Sequence, residues 1–179
     1  MDENKRKIDI EAIPGERWFP KETTFREDMT AYWGDWGVSS EVEKLRAVLM
    51  RRPGREIENF DAAQYRFAKT PVDVELMRRQ HDAVADIYRE RGVSVYYVEE
   101  QREDRPNAIF CRDLMFMTPE GAIITRPGMA ARRGEERYIA KALADIGVPI
   151  VRTINGDGIF EGANAMWVDR RTCVISTGS

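Results

Sequence analysis

Apolar positions along this chain follow two periods, one helical and one extended, and their alternation predicts a mixed α/β fold. From Asp73 to Arg91 the apolar residues Val74, Met77, Val84, Ile87 and Tyr88 recur at helical spacing, and Gly92 follows at a C-cap position. Residues 93–98 are β-branched and aromatic and read as a strand. An earlier strand is expected over 45–50, stopped by Pro53-Gly54. Downstream, 108–110 and 114–117 read as extended, Pro119-Glu120-Gly121 as a turn, and 122–125 as a strand. A second helix opens at Glu135-Glu136, where acidic groups suit the positive end of the helix dipole, and stops at Gly147. Residues 148–154 form the next strand, Asn155-Gly156-Asp157-Gly158 a loop, and 165–168 with 173–176 a closing hairpin. Residues 1–32 are polar and broken by Pro14-Gly15 and Pro20, so they read as an irregular N-terminal arm that Trp18-Phe19 would anchor to a body spanning 33–179.

The pattern repeats. A helix, a glycine-valine pair, an apolar strand and a Phe-led polar segment occur in that order twice, with Phe110-Cys111-Arg112-Asp113 in the first copy and Phe160-Glu161-Gly162-Ala163-Asn164 in the second. A period of about fifty residues is the mark of an assembly of like modules. Each copy places an acidic side chain shortly after a Phe at an expected strand end, where carboxylates from two modules could grip a cation.

Composition narrows the classes. A formal net charge of −3 lacks the basic surface that general nucleic-acid binding requires. No segment has the length and apolarity of a signal peptide or a membrane span, so no membrane partner and a cytoplasmic location are expected. Cys111 and Cys173 have no metal-ligand spacing, and a disulfide between them has little support.

At several points the chain resembles the guanidino-group-modifying superfamily, which includes arginine deiminases, dimethylargininases and amidinotransferases of pentein fold. The likeness covers roughly residues 33–179. It is carried by Trp36-Gly37-Val38, by 45–49 with Arg52-Pro53-Gly54, and by Gln80-His81-Asp82. It continues through Pro106-Asn107, Phe110-Cys111-Arg112-Asp113, 118–122, Arg126, 132–136 and Phe160-Glu161-Gly162. The resemblance implies an α/β propeller of ββαβ-like modules around a central channel, of which this chain holds about three of five. It also implies a cysteine nucleophile that attacks the guanidinium carbon, with no metal or organic cofactor.

Site residues follow by matching motif to motif. Asp113 matches the family's guanidinium-gripping aspartate, and Glu161 the second acid, a catalytic residue that holds the guanidinium beside the nucleophile. A planar, delocalised cation is best met by carboxylates accepting paired hydrogen bonds. Asn107 matches a substrate-contacting asparagine; six extended residues would put it about 20 Å from Asp113, so the chain must bend between them. Arg126, before Pro127-Gly128, matches an arginine that binds the substrate carboxylate. Asn164 stands where the family has an aspartate, which keeps hydrogen bonding and drops one charge. Arg132 and Arg133 read as partners of Glu135 or Glu136, and the only histidine, His81, as a solvated or capping residue. Cys111 reads as a strand residue, not a nucleophile.

The family's general acid/base histidine and late cysteine fall in modules beyond these. The chain is therefore expected to be a truncated or partial form, inactive alone, that would self-associate or join a complementary C-terminal half. It reads as the substrate-binding portion of an arginine deiminase- or amidinotransferase-like enzyme acting on an arginine-like small molecule. Hydrolysis and amidino transfer both stay open, with hydrolysis favoured. The alternative is a non-catalytic binding protein on the same fold, as in its translation-factor branch.

Overall fold

The computed structural model describes residues 22–58 and 72–177, so Trp18-Phe19 lie outside it. In order the elements are α1 (Phe25–Tyr32), β1 (Ala47–Met50), the single turn α2 (Arg55–Glu58), α3 (Val74–Glu90) and β2 (Ser94–Tyr97). Then come α4 (Cys111–Leu114), β3 (Met115–Thr118), β4 (Gly121–Ile124), α5 (Glu136–Asp145), β5 (Ile150–Thr153), β6 (Ala165–Trp167) and β7 (Cys173–Ile175).

Two parallel strand–helix–strand units express the repeat. β1 pairs with β2 across α3, in register from Ala47↔Ser94 to Met50↔Tyr97. β4 pairs with β5 across α5, and β3 joins β4 as an antiparallel hairpin. Both helices end alike. Gly92 and Gly147 take φ of +74° and +86°, a region that a Cβ disfavours. The amide of the next residue reaches back five positions, Val93 to the Tyr88 carbonyl at 3.0 Å and Val148 to that of Leu143 at 2.9 Å. Those two valines are buried, so each helix stop also sends the chain inward. The core gathers Val98, Cys111, Leu114, Ala122, Ile124, Ile139, Leu143 and Val148, where α5 and α4 meet β4.

The α/β class is as the sequence pattern implies. The described strands form three separate sheets, β1-β2, β3-β4-β5 and β6-β7, and none closes. No described helix is long and apolar enough to cross a membrane.

Three local expectations are corrected. Residues 25–32 are helical, not irregular, because Thr24 and Glu27 form a reciprocal capping box. Replacing Thr24 with Ala should cost about 1 kcal/mol in urea denaturation and speed amide exchange across α1. Residues 108–110 are not extended: Pro106–Ile109 is a 3₁₀ turn that leads into α4. Ala108, Cys111 and Leu114 are all buried, and their spacing of three fits tight helical turns, not a pleat. His81 is neither solvated nor a cap; it packs its ring on Tyr97 at 6.0 Å between centroids, and burial lowers its pKa.

Candidate functional site

The two Phe-led segments become two short helical turns that touch. Asp113 sits in α4, and Glu161 caps the 3₁₀ turn Gly162–Asn164. Gly162 makes the meeting feasible, because a Cβ there would lie 2.0 Å from the Met115 carbonyl oxygen and 2.5 Å from that of Arg112. Arg112 fastens the contact from the other side, donating to the carbonyls of Gly162 at 2.6 Å and Ala165 at 2.7 Å. The motif arginine is thus a strut between the repeats.

Beyond this junction opens a cavity of about 480 Å³, within the range of small-molecule sites. Asn107, Asp113 and Glu161 line it with Arg132, and Ile57, Ile109, Phe110 and Met129 are among its apolar walls. The tight turns at 106–114 provide the bend that brings Asn107 and Asp113 to one space. Asp113 receives Arg132 at Oδ2, 2.5 Å away, and Glu161 receives the Gly128 amide at Oε1, 3.2 Å away. Among the described residues, neither Oδ1 of Asp113 nor Oε2 of Glu161 accepts a hydrogen bond. Arg132 is already matched by Glu135, at 2.8 Å, so the described residues at the cavity carry an excess of negative charge. That is an environment short of a cation.

Two of the matched residues lie elsewhere. Arg126 pairs its backbone with Phe160 and donates through Nη1 to the Gly158 carbonyl at 2.9 Å, which ties down the 155–160 loop. Asn164 is exposed, with its carbonyl accepting from the Ser176 amide at 2.8 Å. Neither lines the cavity. Arg132, read from sequence as a local ion-pair partner, is the cation that does among the described residues. Burial opposes its charge, and Glu135 and Asp113 together more than compensate, so its pKa is raised.

Cys111 is buried in α4, and desolvation pushes its thiol up to about 12 in spite of Arg51 and Arg132 nearby. Nucleophilic attack needs the thiolate, so Cys111 is inert at neutral pH. It is free, as is Cys173, and no disulfide joins them. Iodoacetamide should label Cys173 in the folded chain and reach Cys111 only after denaturation, as mass spectrometry of tryptic peptides would show.

A second hollow of about 420 Å³ lies against β1, Trp36 and Tyr96. On its rim Asp35 is paired with Arg46, and none of the candidate site residues Asn107, Asp113, Arg126, Glu161 and Asn164 lines it.

The sequence model of N,N dimethylarginine dimethylhydrolase, eukaryotic, matches residues 55–179. The chain belongs to this family. The dimethylarginine dimethylaminohydrolase of Pseudomonas aeruginosa, solved as a cysteine-to-serine mutant with citrulline, is 25% identical with a TM-score of 0.58, over 70% of this chain and 48% of that one. AgrE, solved with L-arginine, is 16% identical with a TM-score of 0.54, over 68% of this chain and 18% of that one, which speaks for the fold alone. The arginine deiminase of Lentilactobacillus hilgardii is 43% identical over 63 residues, 34% of this chain and 15% of that protein. The match thus spans less than half the length of the solved dimethylaminohydrolase and a small part of the arginine deiminase. The dimethylarginine dimethylhydrolase family is a branch of the guanidino-modifying superfamily, and the mixed α/β fold matches that of its solved relatives.

One pH effect originates at the edge of this site. Burial raises the Glu135 carboxyl from 4.5 to about 7 although Arg132 pulls it down. Folding therefore favours the protonated form, and that stabilisation is full below about 4.5 and lost as pH rises through about 7. Relative to Glu135→Gln, the wild-type urea midpoint should decline across that window.

Proposed function

We propose that this chain supplies the substrate-binding face of a guanidino-modifying hydrolase whose ligand is an arginine-like amino acid carrying a methylated guanidinium. The observation behind this reading is that Asp113 and Glu161, from successive repeats, share one cavity, each with a carboxylate oxygen that accepts no hydrogen bond among the described residues. A guanidinium laid between them would donate paired hydrogen bonds and neutralise the excess charge. Phe110, Met129 and Ile109 offer apolar contact to N-methyl groups. Asn107 adds a polar contact at the same wall. In the complete enzyme these modules would form sectors of a ring around the cavity.

The one histidine and two cysteines of the chain do not line the cavity, so the role assigned to Asp113 and Glu161 is binding. Nucleophile and proton carrier would come from other parts of the functional enzyme. The same fact favours, as a second reading, a binding protein that performs no chemistry.

Titration calorimetry with N,N-dimethyl-L-arginine, L-arginine and L-citrulline tests the proposal. Both guanidines should bind at least about tenfold more tightly than citrulline, whose neutral ureido group keeps the shape and loses the charge. Equal affinity for citrulline, or no heat with any guanidine, would overturn it.

A further inference from the structure

Glu135 is fully buried, yet half of its carboxylate goes unused. Oε2 accepts from Arg132 Nε at 2.9 Å, whereas Oε1 has no donor among the described residues. The Arg132 guanidinium reaches in three directions. It pairs with Glu135, donates to Asp113 Oδ2, and donates through Nη2 to the carbonyls of Asn107 and Phe110, both at 3.2 Å. One cation thus holds the whole strip that carries Asn107, Phe110 and Asp113.

Such a clasp has a built-in competition. Arg132 and an incoming guanidinium both seek the Asp113 carboxylate. If Arg132 had no other anionic partner, its charge would be balanced by Asp113 alone, and a second cation would find that carboxylate already neutralised. Glu135 counters this from the protein side. We infer that Glu135 is a positioning residue for the candidate site: it holds Arg132 by Nε and Nη2, and so leaves Oδ1 of Asp113 charged and open to a ligand cation. This inference rests on the reading of Asp113 and Glu161 as the guanidinium-gripping pair.

The effect is linked to pH. Facing Glu135 are Arg132 on the 3₁₀ turn Ala130–Arg132, Arg105 on the segment before Asn107, Glu136 on α5 and Cys111 on α4, with Asp113 behind Arg132. Burial raises the Glu135 carboxyl to about 7, the two arginines oppose the rise, and Glu136 adds to it. Below that pH Glu135 takes a proton and releases its share of the Arg132 charge to Asp113. Cation binding at the cavity therefore weakens as pH falls.

The test uses the full chain with N,N-dimethyl-L-arginine as probe. The wild-type Kd should rise roughly tenfold between about pH 8 and about pH 6. Glu135→Gln, which preserves shape and a hydrogen bond, should be about tenfold weaker than wild type at the upper pH and lose the pH dependence. Glu135→Asp should recover part of both. A Glu135→Gln variant with wild-type affinity and slope would overturn the inference. If the wild type binds no guanidine, the functional reading fails, and the ligand-free protein then decides about Glu135. The Arg132 Nε–H should give a slowly exchanging ¹⁵N signal that shifts or vanishes in Glu135→Gln, and an unchanged signal would defeat the positioning role.

Discussion

Asp113→Asn should weaken guanidine binding, with N,N-dimethyl-L-arginine affinity falling about tenfold in calorimetry while the chain stays folded. The expectation follows from what Asn removes. The shape of the side chain is kept, but the open oxygen Oδ1 no longer carries charge, and a charge-assisted bond contributes about 1.5–3 kcal/mol where a neutral one gives about half. The cavity also loses one of the two carboxylates that create its demand for a cation. Stability should change little, by about 1 kcal/mol, because Arg132 keeps Glu135 as its anionic partner and is not left as an unpaired buried charge. Glu161→Gln should behave alike. Arg126→Ala and Asn164→Ala should shift affinity less than about threefold, since neither side chain lines the cavity. A large loss from Arg126→Ala with none from Asp113→Asn would reverse the assignment.

These contrasts follow what was and was not legible in the chain. The two helix–glycine–strand units could be read because their signals are local: an amphipathic period, a C′ glycine and a buried valine after it. Asp113, Glu161 and Asn107 were singled out by their motifs, and a short bend places all three at one cavity. That bend itself was obscured. Ala108, Cys111 and Leu114 look like a broken strand until their spacing of three is set against helical turns. Arg132 was hidden for a different reason. Glu135 is three residues away and suggests an ordinary surface pair, whereas Asp113 is reached only after β3 and β4 reverse the chain. Arg126, matched through the turn signal Pro127-Gly128, lies outside the cavity, since the pairing of its backbone with Phe160 depends on a segment far along the chain. The helix at Phe25–Tyr32 carried a readable capping box, masked by the polar composition around it.

The second large effect concerns how the repeats meet. Gly162→Ala should cost about 3 kcal/mol or more in urea denaturation and remove guanidine binding with it. The reason is not backbone conformation but space. An added Cβ would stand 2.0 Å from the Met115 carbonyl oxygen and 2.5 Å from that of Arg112, and both obstacles are main chain. Neither can move alone, because Met115 begins β3 in register with Ile124 and Arg112 lies within α4. The turn at 162–164 would have to lift away, which lengthens the Arg112 bonds to the Gly162 and Ala165 carbonyls and carries Glu161 out of the cavity. Arg112→Ala separates the two consequences. It removes the strut without adding bulk, so it should lower stability by about 2 kcal/mol and leave measurable guanidine affinity. If Gly162→Ala unfolds within about 1 kcal/mol of wild type and still binds, the two carboxylates do not depend on this contact to share a cavity, and the junction of the repeats has to be sought elsewhere.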